Sequence, residues 1–130
     1  MVRYHHLTAI WLICAGPALS PALAQQSSGA ELIRDSAKGN CSICHVIPGI
    51  GLPEEAQGDI GPSLAGVGGR LTEAELRARI IDARKFNPQT VMPPYGTNEG
   101  MTDVNPRYRG KPILTEGEIH AIAGWLAMQK

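Results

Sequence analysis

The sequence predicts a small all-α domain, and three observations support that prediction. Three Ser/Thr-x-x-Glu capping boxes occur, and each begins a stretch in which apolar residues recur at helical spacings. Glycine and proline are concentrated between these stretches, as in loops. No segment alternates apolar and polar residues as a half-buried β-strand does, and no segment is repeated along the chain.

Residues 1–24 have the features of a cleaved secretory signal peptide. A short polar start that includes Arg3 precedes an apolar stretch at 7–18, and an Ala-Leu-Ala sequence ending at Ala24 matches an A-x-A cleavage site. The apolar stretch is short and contains a proline, so it is not expected to span a membrane. We therefore expect export to the periplasm, cleavage after about Ala24, and one mature domain at residues 25–130.

The first capping box runs from Ser28 to Glu31 and predicts a short N-terminal helix. Its apolar positions follow at helical spacing, namely Ala30, Leu32, Ile33 and Ala37. Gly39 is the residue expected to end this helix in a left-handed conformation. Residues 46–60 are rich in glycine, proline and acidic residues and are predicted to form a loop.

The second capping box runs from Thr72 to Glu75. The helix that it begins is expected to end near Lys85, because Asn87 precedes a proline. The apolar stripe is predicted to comprise Leu76, Ile80, Ile81 and Ala83. The basic side chains of this region are assigned to a solvated face, and they are Arg77, Arg79, Arg84 and Lys85.

The third capping box runs from Thr115 to Glu118 and begins a C-terminal amphipathic helix. Its apolar positions are Ile119, Ile122, Ala123 and Leu126. Gly124 is expected to let another backbone approach closely. The simplest packing crosses this helix with the N-terminal helix, with Trp125 and Leu126 directed towards the centre of the domain.

Charge and cysteine content exclude several classes of function. Without the leader, eleven Lys and Arg remain against twelve Asp and Glu, so no basic face for nucleic acid or for a membrane surface is expected. Of three cysteines, Cys14 lies in the leader, which leaves Cys41 and Cys44. The mature chain therefore has no disulfide framework and no spare thiol for nucleophilic chemistry.

Those two cysteines form a C-x-x-C-H motif at residues 41–45, which is the attachment pattern of a c-type haem. The two thiols add across the vinyl groups of one porphyrin edge, and His45 then supplies the proximal ligand of the iron. Three alternatives are a redox-active dithiol, which is usually found beside a βαβ unit, a structural zinc site, which needs four ligands, and two free thiols. Export and the scarcity of aromatic residues favour one covalently bound haem as the core of the domain, and Trp125 and Leu126 are expected to cover the haem side.

The surroundings of the iron can also be read from the sequence. A carbonyl at or near Pro62 is positioned to accept a hydrogen bond from the far ring nitrogen of His45. The alternative is that Pro62 is a turn proline at the first position of a helix. Four side chains are candidates for the distal ligand, namely Met92, Met101, Met128 and His120. Met92 is favoured because two prolines follow it and stiffen its loop.

Several of these features resemble class I cytochrome c. They are the C-x-x-C-H motif, the Gly-Pro-Ser-Leu sequence at 61–64, Met92 before two prolines and the C-terminal helix. Three further segments resemble more narrowly the SoxX family, the monohaem subunits of the SoxAX cytochromes of thiosulfate-oxidising bacteria. They are Gly39-Asn40 before the first cysteine, residues 87–95 and residues 104–115.

The resemblance implies an electron-transfer subunit that is not catalytic by itself. Its implied partners are a SoxA-like haem subunit, a SoxYZ-like carrier whose cysteine is coupled to thiosulfate, and a small cytochrome c as electron acceptor. It also implies that Cys41 and Cys44 hold one haem c, with His45 and Met92 as its iron ligands.

The alternative function is a free soluble cytochrome c that shuttles electrons between redox complexes. A peroxidase or gas sensor would need an open distal site, which a Met92 ligand disfavours. The Pro/Gly-rich segment at 96–114, with Tyr108, Arg107, Arg109 and Lys111, is interpreted as surface for a stable partner, and the alternative is that it only wraps the haem.

Overall fold

The computed structural model describes residues 28–130, and the predicted signal peptide lies outside the described residues. Three α-helices are present, namely α1 (Gly29–Arg34), α2 (Glu73–Ile81) and α3 (Glu116–Ala127). Short 3₁₀ segments occur at Cys41–Ile43, Glu54–Ala56, Val67–Gly69, Ala83–Lys85 and Pro106–Tyr108. Residues 28–130 contain no β-strand, and the all-α prediction is confirmed.

All three predicted capping boxes form at the N-termini of the helices. In α3, the Thr115 N–H donates to a Glu118 carboxylate oxygen at 2.8 Å, and the Glu118 N–H donates to the Thr115 hydroxyl at 3.3 Å. The same reciprocal pair occurs at the starts of α1 and α2. Each box satisfies two backbone donors that a helix end would otherwise leave unpaired.

The core lies where α3 packs against both other helices. Its buried side chains come from the predicted apolar faces, namely Leu32 and Ile33 of α1, Leu76 and Ile80 of α2, and Ile119, Ile122, Ala123 and Leu126 of α3. Loop residues complete it, and they are Ile47, Ile50, Val67 and Leu114. The predicted crossing of the first and last helices is thus present.

The close approach at this crossing depends on Gly29. A Cβ atom at Gly29 would lie within 3.0 Å of the Ala121 carbonyl oxygen and of the Trp125 Cβ. Gly124 was expected to fill this role, but an added Cβ there would only reach Glu73 at 3.9 Å. The expectation for Gly124 is wrong because that residue lies on the face of α3 that points towards the start of α2.

Two helix ends differ from the sequence-based prediction. The first helix ends at Arg34, and the left-handed residue is Asn40, with φ of 45°, where Gly39 was expected. The second helix ends at Ile81, and the 3₁₀ turn Ala83–Lys85 follows it. Side chains cause the second break, because the Asp82 carboxylate accepts the Arg84 N–H at 3.1 Å and begins a new turn.

Most of the basic residues assigned to a solvated face make specific contacts. Arg77 forms an ion pair with Glu116 and so joins α2 to α3. Arg79 lies over the Phe86 ring, with 4.3 Å between the guanidinium carbon and the ring centroid. Arg84 pairs with buried Asp82. The assignment holds for Lys85, which is exposed.

No helix in the part of the chain that the structure describes is both long and apolar enough to cross a bilayer.

We expect Gly29→Ala to destabilise the domain. The added methyl group would collide with the backbone of α3, and overpacking of this kind costs about 1–3 kcal/mol of unfolding free energy. Gly124→Ala is the matched control, since its methyl group has room and alanine is the better helix former by up to about 1 kcal/mol. Denaturant unfolding of both variants measures the difference. Equal stability of the two variants would contradict the role assigned to Gly29.

Candidate haem-binding site

One large cavity opens beside the core, with a volume of about 660 Å³. Small-molecule and cofactor pockets usually measure about 300–1,000 Å³, so this cavity has the size of a cofactor site. Its walls are the C-x-x-C-H segment, the loop at 60–71, α2 with the loop that follows it, and Ile122 and Leu126 of α3. The four residues predicted to hold the haem all line it, namely Cys41, Cys44, His45 and Met92.

Local backbone geometry places the two cysteines on the cavity wall. Asn40 turns the chain through its positive φ, and the 3₁₀ segment Cys41–Ile43 follows. The Cys41 carbonyl accepts the N–H groups of Cys44 at 3.1 Å and of His45 at 3.0 Å, which winds the motif into one tight turn. No disulfide joins the two cysteines, and burial raises the pKa of the Cys41 thiol to about 11.

The imidazole of His45 is oriented by the backbone opposite. Its Nδ1 lies 2.7 Å from the Pro62 carbonyl oxygen. Because a carbonyl only accepts, Nδ1 carries the proton and Nε2 keeps the free lone pair that a metal needs. Pro62 does not begin a helix, so the alternative interpretation of this proline is wrong.

Gly61 makes that orientation possible. Its N–H donates to the Cys44 carbonyl at 2.7 Å, which draws the loop against the motif. A Cβ atom at Gly61 would lie within 3.0 Å of three ring atoms of His45. The imidazole therefore rests on a surface that a side chain would occupy.

Of the four candidate distal ligands, Met92 is the one that lines the cavity. It is partly buried against the core. The exposed fraction is 41% for Met101 and 67% for Met128, and neither lines the cavity. His120 is also directed outwards, with its Nδ1 3.0 Å from a carboxylate oxygen of Glu73.

Two arginines lie on the cavity wall, of which the sequence analysis did not single out Arg70 and wrongly assigned Arg79 to a solvated face. Arg70 and Arg79 line the cavity, and no carboxylate does. Arg79 lies three residues after Leu76, so the helical spacing could have placed it on the cavity face of α2. Arg70 is in a loop, where no periodic signal exists. Its guanidinium donates to the Ala65 carbonyl at 2.7 Å.

Trp125 was expected on the haem side together with Leu126, and for Trp125 this is wrong. Ile122 and Leu126 are four residues apart and share the face of α3 that reaches the cavity. Trp125 instead lies against Gly29 of α1.

The residues of the cavity fit a c-type haem. Two thiols and an imidazole with a free Nε2 line it, together with a thioether, and its two arginines match the two carboxylates of the porphyrin. The zinc alternative finds no support, because residues 28–130 hold no group of three His, Cys, Asp or Glu side chains placed to bind a metal ion.

Comparison with known proteins agrees with this chemistry. Residues 26–130 match the family model for cytochrome c, and a search of curated proteins finds no match. The chain therefore belongs to the cytochrome c family, an electron-transfer family with covalently bound haem c.

A match to a solved structure specifies which kind of cytochrome c this chain resembles. A chain of the crystal structure of SoxXA from P. pantotrophus is 31% identical, with a TM-score of 0.67. The match covers 78% of this chain and 79% of that chain. This protein is thus a SoxX-like class I cytochrome c, and the predicted resemblance is confirmed.

We expect Gly61→Ala to disturb the proximal side of the haem. The methyl group would displace the His45 ring from the Pro62 carbonyl, and loss of such an outer partner typically costs about 10- to 100-fold in metal affinity. The absorption spectrum of the purified haem protein would then report a fraction without the histidine ligand, while haem content per chain would stay as in the wild type because the cysteine links are untouched.

Gly69→Ala is the control for that experiment, because nothing lies within 4 Å of a Cβ atom at Gly69. If Gly61→Ala gave the wild-type spectrum, the close fit between Gly61 and His45 would have no bearing on iron ligation.

Proposed function

We propose that this chain is the electron-transfer haem subunit of a SoxAX-type thiosulfate-oxidising cytochrome in the periplasm. The observation that carries the proposal is the match to a chain of SoxXA, which extends over most of both chains. The predicted signal peptide and the haem motif support it, because a c-type haem is attached to exported chains.

The same proposal assigns the cavity residues to one haem c. Cys41 and Cys44 form its thioether links, His45 supplies the proximal ligand through Nε2, and Met92 supplies the distal thioether. Bound there, the haem provides a one-electron couple, and a methionine ligand gives a higher reduction potential than a second histidine would. Arg70 and Arg79 on the cavity wall would pair with its carboxylates.

The cysteine content separates this chain from the sulfur chemistry. Joining a cysteine thiol to thiosulfate forms one S–S bond and releases two electrons and a proton. Cys41 and Cys44 are committed to the haem, so the reacting thiol belongs to another chain, a SoxYZ-like carrier. A SoxA-like subunit holds the catalytic site, and this chain accepts the electrons one at a time and passes them to a small cytochrome. It is thus a non-catalytic subunit of a cysteine S-thiosulfotransferase.

The segment at 96–114 offers exposed cations for contact with the partner. Tyr108 of this segment instead makes hydrogen bonds within the chain. The Tyr108 hydroxyl donates to the Ala37 carbonyl at 3.2 Å, and the Tyr108 carbonyl accepts from the Asn98 side chain at 3.0 Å. The exposed side chains of this segment include three cations, namely Arg107, Arg109 and Lys111. We assign the partner contact to these cations, which would meet acidic groups on the SoxA-like subunit.

We expect Met92→Ala to retain the attached haem and to lower its reduction potential. The thioethers at the cysteines are untouched, whereas the soft distal ligand is lost. Potentiometric titration with absorbance detection measures the shift, and Met128→Ala, which changes an exposed side chain outside the cavity, should behave as wild type. An unchanged potential and spectrum in Met92→Ala would remove Met92 from the ligand set.

We expect the haem protein purified from its native periplasm to co-elute in fixed stoichiometry with a second, larger haem chain. Size exclusion followed at the haem absorbance, with identification of every chain in the peak, tests this. Elution alone at the mass of residues 25–130 would favour the free soluble electron shuttle.

Charge reversal by Arg107→Glu with Arg109→Glu should weaken that complex and leave the haem spectrum unchanged. Tyr108→Phe is the control, because it removes only a hydroxyl that is bonded within the chain. Full assembly of the charge-reversed variant would exclude these side chains from the interface.

A further inference from the structure

The loop that carries Met92 is fixed at its base to the end of α2. The Tyr95 N–H donates to the Ile80 carbonyl and the Gly96 N–H to the Ile81 carbonyl, both at 3.1 Å. These carbonyls belong to the last turn of the helix, which has no helical partners for them. The chain therefore leaves α2, passes Met92 and returns to the point where it left.

Side-chain hydrogen bonds make a second connection across the base of the Met92 loop, which closes the loop as the backbone bonds do. Arg84 donates to both oxygens of the Asp82 carboxylate, from Nε at 2.8 Å and from Nη2 at 3.0 Å. The same Nη2 donates to the Glu99 carbonyl at 3.0 Å, and Nη1 lies 3.4 Å from the Met101 sulfur. Asp82 is 6% exposed, whereas the Arg84 side chain is 29% exposed. Arg84 thus joins the segment before Met92 to the segment after it.

Met92 and its neighbours make few hydrogen bonds at the tip of the loop. Its N–H donates to the Thr90 hydroxyl at 3.1 Å, but the next two residues are prolines, which have no N–H to donate. Val91 beside it is 81% exposed. Because so few hydrogen bonds hold the tip of the loop, the position of the thioether depends on its packing against the core and on the two contacts at the base of the loop.

We propose that Asp82 and Arg84 are positioning residues that hold the Met92 loop closed over the cavity. This inference rests on the assignment of Met92 as the distal ligand under the proposed function. Neither residue lines the cavity, so their effect reaches the haem through the loop. When Arg84 is lost, the segment at 99–101 is released and the thioether leaves the iron more often.

Imidazole binding to the oxidised haem protein tests this, because imidazole takes the distal position only when the native ligand has left. We expect Arg84→Gln to raise the imidazole association constant about 10- to 100-fold, as follows from losing a charge-assisted hydrogen bond in the closed state alone. Arg84→Lys, which keeps the positive charge but loses the two parallel hydrogen bonds of the guanidinium group, should give a smaller increase in the imidazole association constant.

Arg77→Gln is the matched control. Arg77 also pairs with a carboxylate, that of Glu116, and has a similarly exposed side chain, at 38% against 29% for Arg84, but it does not line the cavity. Its imidazole constant should equal that of wild type. An equal rise in Arg77→Gln would show a general loss of stability and would overturn the positioning role.

A double-mutant cycle with Met92→Ala separates the positioning role from a merely structural one. In the Met92→Ala background, Arg84→Gln should have no further effect, because no native ligand competes with imidazole. An undiminished effect there would overturn the inference, as would a wild-type constant for Arg84→Gln alone. If Met92→Ala itself left the imidazole constant and the potential unchanged, the ligand assignment would fail and this inference with it.

Discussion

The hydrogen bond between His45 and the Pro62 carbonyl, 2.7 Å long, is the constraint around which the site is built. It fixes the tautomer of the imidazole, and it also joins two segments that are distant in sequence. Backbone bonds reinforce the same contact, since Gly61 donates to the Cys44 carbonyl and Leu64 to the Val46 carbonyl. The cavity wall beside His45 thus consists of two chain segments that these hydrogen bonds hold together, although it contains no long helix.

The remainder of the fold keeps the cavity open on one side of α3. The three helices have 6, 9 and 12 residues, and helices of this length are unstable alone in water. Capping boxes begin all three helices, and the packing of α1 and α2 against α3 stabilises them. One face of α3 carries Ile122 and Leu126 to the cavity, whereas Trp125 lies at the crossing with α1. The longest helix therefore serves both the core and the site.

The charges of the domain are divided in a way that suits electron transfer. Arg70 and Arg79 are the charged side chains on the cavity wall, where cofactor carboxylates would be met in apolar surroundings. The cations at 107–111 lie on the surface, in a segment that contributes nothing to the cavity. The cavity and this exposed cationic surface can therefore change independently of each other.

The sequence by itself determined the helix starts, the haem motif and the limits on the chemistry. Capping boxes and the C-x-x-C-H motif depend on residues within five positions of one another, so local spacing was sufficient, and the cysteine count predicts that no thiol is left for catalysis. Tertiary structure decided that Met92 among four candidates lines the cavity, that Gly29 and not Gly124 permits the helix crossing, and that Arg84 bonds to Glu99. These outcomes depend on contacts between residues that are remote in sequence, and helical periodicity does not specify which element lies opposite a given face.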